Sequence, residues 1–232
     1  MMKNENEKQA GEPDTKTAIQ RVYVQLRQQI IKGEFAPGER LKVETLKPLF
    51  ETGASPIREA LSLLTSNKLV DRIDQRGFRV SSVSEDNFNE IFMLRCALDD
   101  LALRKSIELG DNEWEERLVL NHHRLSRANQ DDFDHWENLH KAFHMCLMEA
   151  CDSPILLSYC NQLYDQNIRY RFLAEAAVNY AKRDVRHEHE SIMNAAINRD
   201  ADLASKLLLK HYTDTGAFLK QSFSTNNPSS WR

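Results

Sequence analysis

Between Ser55 and Val70 apolar residues recur at helical spacing, with Ile57, Ala60, Leu61 and Leu64 at i, i+3, i+4 and i+7. Ser55 is placed to cap this helix and Pro56 suits its first position. Arg58, Ser62 and Thr65 fall off the apolar stripe, so the pattern buries one face in a small core and turns Arg58 outward from the first turn. Upstream, Ile19, Val22, Tyr23, Leu26 and Ile30 predict a helix, followed by the turn GEFAPGERL and a short apolar segment of Val43, Leu46, Leu49 and Phe50. Pro48 would cost that segment a helical hydrogen bond unless it lay in the first turn, so the second helix should be short or start late. Downstream, LVDRIDQRGFRVSSV reads as two short strands around a basic turn. Three helices and a two-stranded wing make the winged helix-turn-helix order.

After the polar joint SSVSEDN only helical periodicity appears. Phe88, Ile91, Leu94, Leu98, Leu101 and Ala102 form one stripe; Trp114, Leu118, Leu125 and Ala128 a second; Leu139, Phe143, Leu147 and Ala150 a third. Pro154 opens a helix through Leu156, Tyr159, Leu163 and Phe172, and two more run from Ile192 to Ile197 and from Leu203 to Phe218. The clearest boundaries are GDNEW at 110–114, DSP at 152–154 and RDADLA at 199–204. The predicted class is mainly α: a winged helix-turn-helix over 15–82, a linker at 83–87, and an antiparallel six-helix bundle over 88–222. Residues 1–14, polar and without periodicity, are expected to be a disordered arm, and 223–232 a fraying tail.

The formal charge of −4 over 232 residues looks wrong for a DNA-binding chain until its distribution is read. Residues 15–82 hold twelve Lys and Arg against seven Asp and Glu, whereas 83–232 hold seventeen against twenty-four. A basic head on an acidic body suits counterion release at phosphates while keeping the body off the DNA. No apolar run approaches the ~18 residues that span a bilayer, and the N-terminus lacks a signal-peptide core, so a cytoplasmic protein is expected. Cys96, Cys146, Cys151 and Cys160 form no CxxC pair and read as reduced core residues. The candidate DNA contacts are Lys42 and Thr45, then Ala54, Ser55 and Arg58 at the start of the recognition helix, and Arg76 and Gly77 at the wing turn.

Histidines set the bundle apart from a plain scaffold. His140 and His144 stand at i and i+4, which is how two imidazoles on one helix reach one ion. His189 lies three before Ile192 and four after Val185, and His211 follows Leu207 and Leu208 by four and three, so both fall on buried stripes. The spacing alone fits either a metal site or satisfied core histidines. His122, His123, His135 and His187 read as surface residues, and Glu188 and Glu190 as pointing away from the His189 face. Arg95 shares the stripe of Ile91 and Leu98 and should face the core, or pair with Asp99 four residues on.

The segments APGERL, PIREAL, KLV and QRGFRV, in this order, resemble the N-terminal signature of the GntR family of bacterial transcription regulators. One departure stands out. The family usually has a second arginine four residues before Arg58, and here that position is Ala54, preceded by Gly53 in place of serine; one guanine contact is then missing and the usual operator is in doubt.

RCALDDLA, HKAFH, DSP, EHESIMNAAI and the 22-residue step from His189 to His211 resemble the FCD ligand-binding domain of the FadR-type branch. That resemblance implies a divalent metal, usually held by one aspartate and three histidines. Here His140 takes the aspartate's place, so the expected set is His140, His144, His189 and His211, holding zinc, with nickel or copper as alternatives, or three histidines if His140 does not coordinate. It further implies that Arg95 helps bind a carboxylate effector, with Asn167 and Arg171, or Arg169 and Tyr170, as companions. The chain looks nearest to the branch repressing glutarate and 4-aminobutyrate catabolism, which suggests a short dicarboxylate such as glutarate. The expected protein is a homodimeric repressor on a pseudo-palindromic DNA operator, without a membrane partner and not an enzyme. Two other readings stay open: a metal-dependent enzyme fused to a DNA-targeting domain, and a ligand-independent DNA binder with structural histidines.

Overall fold

A computed structural model of the chain describes residues 12–74, 76–129, 132–175 and 184–225. They belong to two compact units, one running to Val83 and the other from Ser84 to Asn227.

The first unit contains α1 (Glu12–Ile31), β1 (Arg40–Leu41), α2 (Val43–Leu49), α3 (Ala54–Ser66), β2 (Val70–Ile73) and β3 (Gly77–Val80). Ile57, Ala60, Leu61 and Leu64 are all fully buried on α3, as are Val22, Leu26 and Ile30 on α1, the helix packed against it. Burying each such aliphatic side chain contributes roughly 1.5–3 kcal/mol, and this small core fixes how α3 is presented. Residues 12–14, expected in the arm, already belong to α1; residues 1–11 lie outside the described residues.

Three details differ from the sequence reading. Ser55 does not cap α3: Gly53 is the N-cap with no side-chain bond, and Ser55 Oγ instead donates to Glu59 Oε1 at 3.2 Å. Pro56 is therefore third in the helix, a position still within the first turn, where the absent N–H has no intrahelical partner to lose. Helix α2 is short, as Pro48 required, with the proline late in its seven residues where it costs a single bond near the helix end; Leu49, read as part of the apolar segment, is exposed. The wing has a third strand, since β1 pairs antiparallel with β3 in the register Arg40↔Arg79 and Leu41↔Phe78, giving the order β1-β3-β2. Two residues are too few for alternation to reveal. Gly77 has φ +94°, a left-handed value that the turn needs and that glycine adopts without strain.

The second unit contains α4 (Glu85–Leu109), α5 (Asn112–Arg127), α6 (Phe133–Met148), α7 (Pro154–Glu175), α8 (Val185–Ile197) and α9 (Ala201–Thr225), six helices among the described residues. Side-chain caps start all six: Ser84 accepts from Asn87 N, Asp111 from Trp114 N, Asp132 from His135 N, Ser153 from Leu156 N, Asp184 from His187 N and Asp200 from Leu203 N. Each satisfies a backbone donor the helix itself leaves open. The segment 83–87, read as a linker, is thus mostly the cap and first turn of α4, and residues 223–225 continue α9. Helix α4 packs on α7 and α9, α5 on α6, and α8 on α9. Trp114, fully buried, donates from Nε1 to Cys146 O at 2.8 Å.

The α4 stripe was misread. Leu94 and Leu101 are each 46% exposed, and the buried line runs through Phe88, Ile91, Arg95, Asp99, Ala102 and Ser106. Tyr159 and Leu203 are also exposed. Polar residues hold the inner face of α4 because that face borders a chemical site and not an apolar core. Cys146, Cys151 and Cys160 are buried free thiols, and Cys96 is a half-buried one.

Candidate metal and effector centre

Helix α6 carries His140 and His144 one turn apart, α8 supplies His189 and α9 supplies His211. All four are at most 5% exposed, and one ligand-capable atom from each lies within 4.8 Å of the others. His140 Nε2 and His144 Nε2 are 3.1 Å apart, and the His189 and His211 ring centroids 4.7 Å. The sequence-expected set is brought together in full.

Hydrogen bonds behind the rings fix their tautomers. The Tyr164 hydroxyl donates to Glu137 Oε1, so its oxygen accepts from His140 Nδ1 at 2.6 Å. The Tyr212 hydroxyl donates to Asp99 Oδ2 at 2.8 Å and lies 3.4 Å from His144 Nδ1. His211 Nδ1 is 2.7 Å from Glu188 Oε2. In each case the group behind the ring can accept a hydrogen bond from Nδ1, which leaves Nε2 to face the cluster, the arrangement by which proteins orient imidazoles toward a metal. Burial holds His140 and His144 well below the usual histidine pKa, reinforced by neighbouring histidines and by Arg171 and Arg95. Burial likewise raises Tyr164 and Tyr212, keeping both as neutral donors.

Arg95 sits between the Tyr164 and Tyr212 rings, its guanidinium carbon 4.7 and 4.2 Å from their centroids. It also donates to Asp99 at 3.2 Å and to Asn167 Oδ1 at 2.7 Å, so the intrahelical pair and the inward orientation coexist. Burial works against its charge, but Tyr212, Asp99 and Tyr164 more than offset this, and it stays cationic. Arg171 Nη1 lies 3.4 Å from Glu137 Oε2 and stacks over Trp136, which in turn stacks on His140. A cleft of about 480 Å³ of empty space, partly open to solvent, is lined by Arg95, Asn167, Arg171, His140 and His211, with Phe88, Phe92 and Leu219 among its apolar walls. Arg169 and Tyr170 are buried but do not line it; Tyr170 donates to Asn87 Oδ1 instead.

Glu188 was expected to point elsewhere, and it binds His211 because α9 lies against α8. His122 is half-buried and not a surface residue, its ring 5.8 Å from that of Phe143. Tyr164, Glu137 and Tyr212 were missed altogether as site residues. Tyr164 shares a helix face with Asn167 and Arg171, and Glu137 with His140, at three- and four-residue spacings that could have flagged them. Nothing in the sequence pairs Tyr212 with Asp99.

In the first unit Lys42 is the exposed N-cap of α2, and Thr45 Oγ1 donates back to Lys42 O at 2.8 Å. Ser55 and Arg58 are exposed on the first turn of α3, with Ala54 half-buried, and Arg76 and Gly77 are exposed at the wing turn. Among the described residues Arg58 has no side-chain partner that would hold it away from solvent, whereas Ser62 donates to Arg58 O.

A winged helix-turn-helix joined to a helical domain with an imidazole cluster beside a cationic cleft defines a DNA-binding transcription regulator with a ligand-binding domain. Residues 18–80 match the profile described as bacterial regulatory proteins, gntR family, and residues 90–214 the FCD domain. The chain belongs to the GntR family and carries the FCD ligand-binding domain. It is 37% identical over 215 residues to the uncharacterized HTH-type transcriptional regulator BphR of Paraburkholderia xenovorans, covering 90% of this chain and 87% of that one. It is 32% identical over 212 residues to the HTH-type transcriptional repressor GlaR of Escherichia coli, covering 88% and 96%. Among solved structures, Escherichia coli McbR/YncC superposes with a TM-score of 0.79 at 22% identity, covering 89% and 98%, a likeness of fold. These families and relatives are transcription regulators and not enzymes. Among the described residues, no helix is long and apolar enough to cross a membrane.

Proposed function

We propose that this regulator is a repressor whose operator affinity is set by a small carboxylate bound beside a divalent metal ion. The observation that carries the reading is the convergence of four buried imidazoles, two of which, His140 and His211, line a cleft that also holds Arg95 and Arg171. The residues fit a metal. Zinc–nitrogen bonds of about 2.0–2.1 Å keep tetrahedral donors roughly 3.4 Å apart, within reach of a set whose atoms already lie inside 4.8 Å. Four neutral nitrogen donors favour zinc, with nickel the alternative. Three or all four of His140, His144, His189 and His211 would hold the ion, and with three donors, or with coordination expanded beyond four, it would supply a cationic, Lewis-acidic position for a carboxylate oxygen.

The chain's own residues do the rest. Arg95, held by the two tyrosine rings and by Asn167, offers a fixed charge for one carboxylate end, and Arg171 a second across the cleft. Two anionic ends matched to separate cationic anchors support a short dicarboxylate such as glutarate. In the DNA-binding unit, Arg58 and Ser55 on α3 would meet the major groove and Arg76 and Gly77 the flanking groove, with Lys42 and Thr45 on phosphates. Ala54 in place of a guanine-reading arginine supports an operator unlike the family's usual one. A homodimer would read the two halves of a pseudo-palindrome.

Thermal unfolding of the full chain with short mono- and dicarboxylates, with and without a chelator, tests this. A ligand of the native state raises the melting temperature. One acid should do so, and the chelator should remove the shift. If the chelator leaves every melting temperature unchanged, the metal-assisted reading fails.

A further inference from the structure

Two cavities reach the histidine cluster, each lined by different members of it. The cleft described above is lined by His140 and His211. A second, of about 300 Å³ of empty space, lies between α5, α6 and α8, lined by His122, Ser126, Trp136, Arg186 and His189. The metal reading does not use it, and His122 lies outside the group of four.

We infer that the metal ion reaches the cluster through this second cavity, with His122 as a relay ligand, while the carboxylate uses the first. The inference rests on the metal-binding reading above. Charge separates the two routes. The first cleft carries Arg95 and Arg171, both buried and cationic, which attract an anion and repel an approaching dication in a partly desolvated space. The second is lined by two imidazoles, that of the half-buried His122 and that of the buried His189. Its cationic residue, Arg186, is exposed and so screened by solvent, unlike the buried Arg95 and Arg171, and its charge on His122 is opposed by that of Glu190 from the same helix.

His122 is built to offer a lone pair. It hydrogen-bonds the Arg186 backbone, and its Nε2 is buried with no hydrogen-bond partner among the described residues. That leaves Nδ1 as the donor and Nε2 unprotonated, on the wall of a cavity that ends at a cluster histidine. Phe143 spans the gap, its ring 5.8 Å from that of His122 and 5.1 Å from that of His189. A nitrogen in this position can exchange one hydration water of an incoming ion for an imidazole before the ion meets the four.

The test is the kinetics of loading apo full-length protein with Zn²⁺ or Ni²⁺, followed by competition with a chromophoric chelator, beside equilibrium affinity. His122→Ala should slow uptake and release in parallel, several-fold, at unchanged affinity. Ser126→Phe, which narrows the same cavity, should do likewise, and far-ultraviolet circular dichroism confirms that each variant is folded. Uptake as fast as wild type in both variants overturns the inference. So does weaker affinity through faster release alone, which makes His122 an ordinary ligand. Wild-type protein that takes up no metal sinks the metal reading itself, and the portal with it.

Discussion

His211 Nδ1 lies 2.7 Å from Glu188 Oε2, a contact between neighbouring helices that fixes which nitrogen of His211 faces the cluster. Glu188→Gln replaces a charged acceptor with a neutral one of the same shape. Loss of such an outer partner typically lowers metal affinity about 10–100-fold. Competition titration of Zn²⁺ should show a drop in that range while the melting temperature of metal-free protein changes little; undiminished affinity would mean that Glu188 does not orient a ligand.

Arg58 is exposed and supports no buried contact, so Arg58→Ala should leave the fold intact. Loss of a base-reading arginine costs about 1–3 kcal/mol, roughly 5- to 150-fold in operator affinity, and relaxes specificity at one position. Gel-shift or anisotropy titration at fixed salt reads both. Normal operator binding by this variant would refute the docking of α3.

Acid should destabilise the metal-free protein. Burial, with neighbouring histidines and arginines, holds His140 and His144 well below the value of 6.5 that histidine has in an unfolded chain. Below 6.5 the unfolded state therefore binds more protons than the native one. The stability is fully present above that pH and is lost as pH falls toward the depressed values, at about 1.4 kcal/mol per pH unit for each histidine. Denaturant titrations in chelator across this window should give that slope, and His140→Phe should reduce it; a flat profile would count against neutral buried imidazoles.

Gly110 ends α4 with an ordinary φ of −62°, so conformational freedom is not what it supplies. A Cβ there would sit 2.3 Å from the Trp114 ring and 2.6 Å from Ser106 O. Gly110→Ala should cost about 1–3 kcal/mol, since neither a buried indole nor a helix carbonyl can yield cheaply. Urea unfolding measures it, and a loss below about 0.5 kcal/mol would show that Trp114 is free to shift.

The sequence by itself determined the element order, because helical stripes on α1, α3 and α5 to α9 and the glycine turn of the wing are local patterns. It also determined the four imidazoles as a set, since His140 and His144 share a face by spacing, and His189 and His211 fall on buried stripes. The tertiary structure alone decided what stands behind and around them. On α4 the apolar period pointed to Leu94 and Leu101, yet Arg95 and Asp99 are the buried pair, because their partners Tyr164, Asn167 and Tyr212 arrive from α7 and α9. Arg95 was expected to face the core or to pair with Asp99; that it does both, and that Asp99 is buried with it, depends on those partners. Glu188 and His122 were misplaced for the same reason: on a single helix each lies off the apolar stripe, and only the neighbouring helix supplies the hydrogen bond that draws it inward.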